Sequence, residues 1–356
     1  MARSTPKRIN LALQGGGAHG AFTWGALDRL LLEEDVEIVG ISGTSAGAMN
    51  AAVLVDGHFE GGRERARAQL REFWQGIAGA SVNLLSLCPQ APNELLERIP
   101  GLDWLAALNP ADMLSRMFSP YELNPLNLNP LKDVLKRLVK AKHMQNSIQL
   151  FVTATNVETG EPRVFTGSEV TIDVLMASAC LPFMYQAVEI GGVPYWDGGY
   201  VGNPSIWPLI YETDCADVML VQINPLKREG TPKTAIDIIK RANEISFNSS
   251  LIAELRAIHF VQKLIRSGKL EDKHYTDIRM HHLLPPENTE LMSADSKTDT
   301  HWEYFEQLHA LGYAQMEAWL KKHKDAIGET ETLDIEKRFL ASPRHTLPPH
   351  KGKRGG

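Results

Sequence analysis

The chain contains few cysteines. Only three occur among its 356 residues, Cys88, Cys180 and Cys215, and no two of them form a C-x-x-C pair. Disulfide frameworks and structural zinc sites both need closely patterned cysteines, so neither is expected, and a reducing compartment fits this composition. The twelve histidines show no H-E-x-x-H or comparable ligand spacing. We therefore expect no metal site.

An excess of positive charge is also missing. The chain carries 37 lysines and arginines against 43 aspartates and glutamates, which gives a formal net charge of −6. Nucleic-acid-binding domains usually carry a basic excess on one face. Nucleic acid is therefore not an expected partner.

No stretch of the sequence is apolar enough for a membrane span. The longest weakly polar stretch, residues 38–55, contains Ser42, Thr44, Ser45 and Asn50, whereas a spanning helix needs about 20 predominantly apolar residues. The apolar run near the N-terminus breaks after a few residues and is too short for the core of a signal peptide. We expect a soluble cytoplasmic protein.

The N-terminal part of the chain alternates between strand and helix patterns. Residues 9–13 and 36–41 are apolar and read as buried strands, whereas residues 21–32 and 46–55 have helical spacing or small apolar content. Further patterns predict strands at 148–155, 163–166, 187–190 and 218–223, and helices at 171–180 and 233–267. Such an alternation predicts an α/β fold with a largely parallel sheet.

A glycine-rich motif follows the first predicted strand and opens the first predicted helix. Its residues are Gly15, Gly16, Gly17, Ala18, His19 and Gly20. Glycines allow sharp turns and leave backbone N–H groups uncovered, so such a loop can hold an anion. The spacing also satisfies G-x-G-x-x-G, but a dinucleotide site needs an acidic residue at the end of the second strand. That strand ends in Ile41-Ser42-Gly43, which makes the nucleotide interpretation weak.

The second motif is G-x-S-x-G, from Gly43 to Gly47 with Ser45 at its centre. It lies between a predicted strand and a predicted helix, the setting of a nucleophile elbow that exposes the serine hydroxyl. A serine-capped turn without catalysis is the simpler alternative. A third element, Asp197 followed by Gly198 and Gly199, is by itself a common turn. When it is considered together with Ser45, Asp197 becomes a candidate catalytic base, because a serine needs an adjacent base to become a good nucleophile.

The motifs together resemble the patatin-like phospholipase family. The matching segments are GGGAHG, GTSAG, ASACLPF at 177–183 and DGGYVGNP at 197–204, in the order in which the family has them. The resemblance implies a three-layer α/β/α sandwich and a catalytic domain at 8–208. After that domain, sheet completion and a helical extension are expected at 209–328. The closely spaced prolines of segment 79–130 predict short helical pieces over the core or a cleft, which serve either as core cover or as a lid or cap insertion. The polar composition from Glu329 onward predicts a disordered tail at 329–356.

The same resemblance assigns roles to the motif residues. Ser45 is the nucleophile and Asp197 the base of a catalytic dyad, and the backbone N–H groups of Gly15, Gly16 and Gly17 form the oxyanion hole. The other motif positions support these turns; they are Gly20, Gly43, Gly47, Gly198 and Gly199, together with His19, which replaces the family's usual arginine or lysine. Family members hydrolyse lipid acyl esters without a metal or cofactor. The implied partner is a lipid or ester substrate, reached at a membrane or lipid-aggregate surface.

Three alternatives remain open at this point. The first is an esterase for non-phospholipid esters or hydroxyalkanoate polyesters. The second is an α/β-hydrolase with a Ser-His-Asp triad, although in that fold the elbow usually follows more than the two strands that precede Ser45. The third is a non-catalytic lipid-binding scaffold. Acyl chain length, head group and oligomeric state are not encoded in any motif.

Overall fold

The computed structural model describes residues 6–87, 119–145, 147–270, 275–286, 289–293 and 295–340. Of segment 79–130, expected as core cover or a lid, residues 88–118 lie outside this range. The expected tail at 329–356 lies outside it only from residue 341, whereas residues 329–340 are described, and Leu333 and Ile335 among them are buried. Cys180 and Cys215 are buried and unpaired, and Cys88 lies outside the described residues. None of the described helices combines the length and the apolar character that crossing a bilayer requires.

One mixed sheet of eight strands forms the centre of the protein. The strands are β1 (Lys7–Leu13), β2 (Val36–Gly43), β3 (Gln149–Asn156), β4 (Pro162–Thr166), β5 (Val188–Ile190), β6 (Val193–Asp197), β7 (Asp217–Val221) and β8 (Arg279–Leu283). Their order is β5-β6-β3-β2-β1-β7-β8, with β4 also paired to β3. The pairs β3–β2, β2–β1, β1–β7 and β7–β8 are parallel. The pairs β3–β4, β3–β6 and β5–β6 are antiparallel.

Eight helices accompany the sheet within the described residues. They are α1 (Gly20–Leu30), α2 (Ala46–Leu87), α3 (Pro120–Leu123), α4 (Pro130–Leu138), α5 (Ile172–Ser178), α6 (Trp207–Glu212), α7 (Ala235–Arg266) and α8 (Trp302–His323). Short 3₁₀ turns connect several of them, including Gly17–His19 and Asp295–Thr298.

The sheet separates two hydrophobic layers. Side chains alternate along each strand, so Leu11 and Leu13 of β1 pack on one face while Ala12 between them packs on the other. The first face is covered mainly by α1, α2, α4, α5 and α8, and the second by α6 and α7. This is a three-layer α/β/α sandwich, and the predicted fold class is confirmed.

The structure confirms the strands predicted at 9–13, 36–41, 148–155, 163–166, 187–190 and 218–223 and the helices predicted at 21–32, 171–180 and 233–267, to within a few residues. The prediction differs from the structure at α2, β6 and β8. Helix α2 was expected to end at residue 55, but it continues to Leu87 with non-helical backbone angles at Gly61 and Gly62. Strands β6 and β8 were not predicted as strands. Strand β6 contains Pro194, a residue unusual inside strands, and β8 contains the adjacent His281 and His282, which lack a strand-like apolar pattern.

Candidate active site

Ser45 occupies a strained turn between β2 and α2. Its φ is +54°, a left-handed value that non-glycine residues rarely adopt. Its backbone N–H donates to Ser178 Oγ at 3.0 Å, and Ser178 Oγ donates in turn to the Thr153 carbonyl at 2.7 Å. Strain of this kind persists only where surrounding contacts hold it, and it is concentrated at functional sites. The turn has the geometry expected of a nucleophile elbow.

Glycines permit the close packing around this elbow. A Cβ at Gly47 would lie 2.2 Å from the Leu13 carbonyl oxygen, and one at Gly15 would lie 2.7 Å from Ser45 Cβ. At Gly43 it would meet the backbone of Gly47 at 2.7 Å. The glycine loop after β1 and the serine turn after β2 therefore touch each other at the carboxyl edge of the sheet.

Asp197 ends β6 and is fully buried. Its N–H donates to the Cys180 carbonyl at 2.8 Å, and its Oδ1 accepts the N–H of Gly199 at 2.7 Å. Burial raises the pKa of the Asp197 carboxyl to about 7, although the Gly199 N–H and the Ser45 hydroxyl both act to lower it. A carboxyl with this pKa ionises near neutral pH and is a much better base than a free aspartate.

Ser45 and Asp197 are close neighbours, but no tight hydrogen bond joins them. The hydroxyl is near enough to influence the carboxyl pKa, whereas Asp197 Oδ2 accepts no hydrogen bond from the described residues. Catalytic hydrogen bonds are often long without substrate and tighten when it binds. Gly198 allows this approach, because a Cβ there would lie 2.1 Å from the Thr153 carbonyl oxygen and 3.0 Å from the Thr44 methyl group.

The three glycines of the predicted oxyanion hole differ in their backbone contacts. The N–H of Gly15 donates to Asn203 Oδ1 at 2.6 Å and is therefore occupied. Within the described part of the chain, no acceptor is bound to the N–H of Gly16 or Gly17. Gly17 has a φ of +61°, and a Cβ there would lie 2.5 Å from the Lys297 carbonyl oxygen. Two N–H groups without an acceptor thus remain in the loop whose Gly15 packs against Ser45.

His19 and Gly20 lie where the loop enters α1. His19 is fully buried, and its Nε2 lies 3.0 Å from Ser296 Oγ. Burial, followed by the charges of Lys297 and Arg228, lowers the pKa of His19 to about 3, so the imidazole is neutral at neutral pH. A Cβ at Gly20 would meet Ala46 Cβ at 2.8 Å, which brings the starts of α1 and α2 together.

Among the described residues, no histidine forms a hydrogen bond or an ion pair with Ser45 or Asp197. The one candidate metal-ligand group in that part of the chain consists of Asp56, Glu60 and His143, whose ligand atoms lie within 4.8 Å of one another. Asp56 Oδ1 already accepts the N–H of Lys140 at 2.7 Å and lies 3.0 Å from His143 Nδ1. This group therefore has the contacts of a structural polar cluster, separate from the serine site.

Several residues that shape the site were not singled out from the sequence. Ser178 and Asn203 lie within the quoted ASACLPF and DGGYVGNP segments, so those segments contained a signal for them. Asn224 follows β7, and its Nδ2 donates to the Gly15 carbonyl at 2.6 Å. Lys297 comes from the turn Asp295–Thr298 and donates to Asn224 Oδ1 at 2.8 Å. Neither residue belongs to a recognisable motif.

A strained serine turn at the carboxyl edge of a mostly parallel α/β sheet is typical of serine hydrolases. The chain belongs to the patatin-like phospholipase family, because the family model described as patatin-like phospholipase matches residues 11–210, more than half of the chain. Members of this family are typically serine hydrolases that act on lipid acyl esters.

Solved structures to which the chain is similar include VipD from Legionella pneumophila and the type III effector ExoU. VipD is 19% identical, with 89% of this chain and 67% of that chain covered and a TM-score of 0.41. One ExoU structure is 14% identical to this chain, and the match covers 90% of this chain and 54% of the ExoU chain with a TM-score of 0.31. The ExoU–SpcU complex from Pseudomonas aeruginosa gives 17% identity, 89% and 53% coverage and a TM-score of 0.30. The chain thus spans just over half the length of the ExoU chains. No curated protein matches it.

Proposed function

We propose that the protein hydrolyses acyl ester bonds of lipids, in the manner of a phospholipase A or lysophospholipase, with Ser45 as nucleophile and Asp197 as base. The observation that carries this proposal is the pairing of a serine in a strained turn with a buried carboxyl whose pKa is raised to about 7. Each feature costs folding stability. Their occurrence side by side therefore favours catalysis over a merely structural turn.

The proposed reaction follows from this geometry. Asp197 takes the Ser45 proton as Oγ attacks the ester carbonyl carbon, and the N–H groups of Gly16 and Gly17 stabilise the negative charge on the carbonyl oxygen. The proton on Asp197 passes to the departing alcohol, which leaves an acyl group on Ser45. Water then attacks the acyl-enzyme while Asp197 takes a proton from it. That proton passes to Ser45 Oγ as the fatty acid leaves, which restores the serine hydroxyl and the Asp197 carboxylate.

An exposed apolar surface next to the site supports a lipid substrate. Phe183 and Met184 are exposed and lie just after Cys180, whose carbonyl accepts the Asp197 N–H. The neighbouring segment 119–129 is joined to this turn by a hydrogen bond from Gln186 Nε2 to the Asn124 carbonyl. That segment exposes further large apolar side chains, which are Tyr121, Leu123, Leu126 and Leu128. Such a patch suits contact with acyl chains or a lipid surface.

The test combines active-site labelling with a substrate panel. A fluorophosphonate probe should label the wild-type chain and fail to label Ser45→Ala. The panel contains phospholipids, lysophospholipids, triacylglycerols, short soluble esters and hydroxybutyrate oligomers. We expect Ser45→Ala and Asp197→Asn each to lose nearly all turnover, and the double variant to be little worse than either, because the two residues act as one unit.

Asp28→Asn provides the matched control. Asp28 is a largely buried carboxylate on α1 that pairs with Arg67 and His309 and takes no part in the site. Its substitution should leave turnover of folded protein unchanged. Absence of labelling and of turnover in the wild-type chain would contradict the proposal and favour a non-catalytic lipid-binding role.

A further inference from the structure

The peptide group that joins Gly15 to Gly16 is held by side chains from distant parts of the chain. Its carbonyl oxygen, on Gly15, accepts hydrogen bonds from Asn224 Nδ2 at 2.6 Å and from Asn203 Nδ2 at 3.3 Å. Its N–H, on Gly16, has no acceptor among the described residues and follows Gly15, which packs against Ser45. Donors on one side of a peptide group polarise it and strengthen its N–H as a donor on the other side.

The chain of hydrogen bonds continues beyond Asn224 to the half-buried ammonium group of Lys297. Lys297 Nζ donates to Asn224 Oδ1 at 2.8 Å. The orientation of the Asn224 amide is unambiguous, because an ammonium can only donate and a carbonyl oxygen can only accept. The Asn224 N–H donates to Gln14 Oε1 at 2.8 Å, which fixes the backbone of this asparagine next to the glycine loop.

Lys297 is surrounded by charged groups that keep it in place. Its Nζ lies 3.5 Å from Glu244 Oε1, and its side chain is 22% exposed. Glu244 also binds the Arg228 guanidinium at 2.7 Å through each carboxylate oxygen. Burial lowers the pKa of Lys297, while Glu244 opposes that shift and favours the ammonium form. Lys297 therefore differs from an exposed surface lysine, because its ammonium group is held between Glu244 and Asn224.

We infer that Lys297 is a positioning residue for the oxyanion hole: it acts through Asn224 on the Gly15–Gly16 peptide and strengthens the Gly16 N–H as a donor to the reacting carbonyl oxygen. The inference rests on the proposed ester hydrolysis and assigns the C-terminal extension a part in it. The positive charge of Lys297, at one end of this series of hydrogen bonds, stabilises negative charge on the carbonyl oxygen that the Gly16 N–H binds at the other end. The stabilisation is largest in the transition state, where the oxyanion develops. The effect should therefore appear in kcat rather than in KM.

The kinetic test uses Lys297→Met, Lys297→Arg, Asn224→Leu and the Lys297→Met/Asn224→Leu double variant with a soluble uncharged ester. Losing a direct oxyanion donor costs about 10²–10³ in rate, so a residue acting through one intermediate should cost about tenfold in kcat. We expect this loss in Lys297→Met with little change in KM, and recovery of most of it in Lys297→Arg. The double variant should be no slower than Asn224→Leu alone, because the lysine acts through the asparagine.

Lys324→Met is the matched control. Lys324 is also a half-buried lysine with two carboxylate partners, Glu33 and Asp35, but these lie at the opposite edge of the sheet, before β2. Its loss should lower the melting temperature without changing kcat of the folded protein. Circular dichroism and thermal unfolding confirm that each compared variant is folded.

A second readout does not depend on turnover. In protein labelled with ¹⁵N-glycine, the Gly16 amide resonance should move in Lys297→Met, return towards its wild-type position in Lys297→Arg, and stay in place in Lys324→Met. An unmoved Gly16 resonance would overturn the inference, as would kinetic effects of Lys297→Met and Asn224→Leu that multiply in the double variant. A wild-type chain without turnover but with the expected resonance shifts would contradict the proposed function and leave the hydrogen-bond chain supported.

Discussion

At the scale of single residues, two buried aspartates show how surroundings decide chemistry. Burial raises the pKa of Asp197 to about 7, because few donors compensate for the lost water. Asp217 is also buried, but hydrogen bonds from His281, Arg279 and the Gly328 N–H outweigh the effect of burial and hold its pKa at about 2. One carboxyl is suited to accept a proton near neutral pH, and the other is a permanently charged anchor for the start of β7.

The raised pKa of Asp197 predicts a pH-dependent cost in stability. The folded protein keeps this proton up to about pH 7, whereas the unfolded chain releases it near pH 4, so the free energy of unfolding falls as pH rises between these values. Asp197→Asn lacks this penalty. We expect its melting temperature to exceed that of the wild type by more at pH 8 than at pH 5, while wild-type kcat/KM rises with pH through about 7.

Asp217→Asn is the control for this measurement. The pKa of Asp217 lies below its unfolded value, so its stabilising effect is complete at both pH 5 and pH 8 and is lost only as pH falls towards about 2. The variant should be destabilised by the same amount at both pH values. A melting-temperature difference for Asp197→Asn that does not depend on pH would show that its carboxyl titrates normally.

At the scale of elements, helix α2 shows where glycine is required and where it is incidental. Gly62 has φ +70° and ψ −156°, a region open almost only to glycine, and no neighbouring atom lies within 4 Å of a Cβ built there. Gly79 lies further along the same helix, also with open space around its Cβ position. The first glycine permits the break in α2, whereas the second only weakens a helical turn.

These two glycines form a matched pair for mutation. Gly62→Ala should lower the free energy of unfolding by about 1–3 kcal/mol, because alanine strains the backbone there without any steric clash. Gly79→Ala should raise it by about 0.5–1 kcal/mol, because alanine favours helix and reduces the entropy of the unfolded chain. Urea unfolding of both variants measures the difference. Equal effects at the two positions would mean that α2 does not break at Gly62.

At the scale of the whole molecule, the residues after the family match are part of the same body. Strand β7 pairs with β1 and β8 with β7, so the sheet continues beyond residue 210. Helix α8 crosses α1 so closely that a Cβ at Gly312 would lie 1.9 Å from the Phe22 carbonyl oxygen. Asn224 and Lys297 reach the glycine loop from this same region.

This arrangement predicts that the matched region does not fold alone. A chain ending at residue 210 would leave β1 as an unpaired edge and uncover the apolar face of α1, so we expect aggregation and no cooperative thermal transition. A chain ending at residue 340 keeps every described element and should melt like the full chain. Far-UV circular dichroism follows both, and a cooperative transition in the shorter chain would contradict the expectation.

The motifs that act through local geometry could be predicted from the sequence. A strand, a G-x-S-x-G turn and a helix define the position of Ser45 within a few residues, because the strain and the required glycines are local properties. The order of the N-terminal strands and helices and the fold class followed from the same kind of pattern, strengthened by the family resemblance. Strands β6 and β8 were not predicted, since Pro194 interrupts the first and the adjacent His281 and His282 interrupt the apolar pattern of the second.

Only the tertiary structure decided how the loop and the base are completed. The sequence placed Gly15, Gly16 and Gly17 in one motif, but their N–H groups became different once Asn203 occupied the first. The pKa of Asp197 depends on burial by several elements that are far apart in the chain. Lys297 is connected to the glycine loop through Asn224, and no sequence motif predicts this contact. Sequence patterns encode local conformation, whereas contacts between distant segments arise only when the whole sheet and its covering helices are assembled.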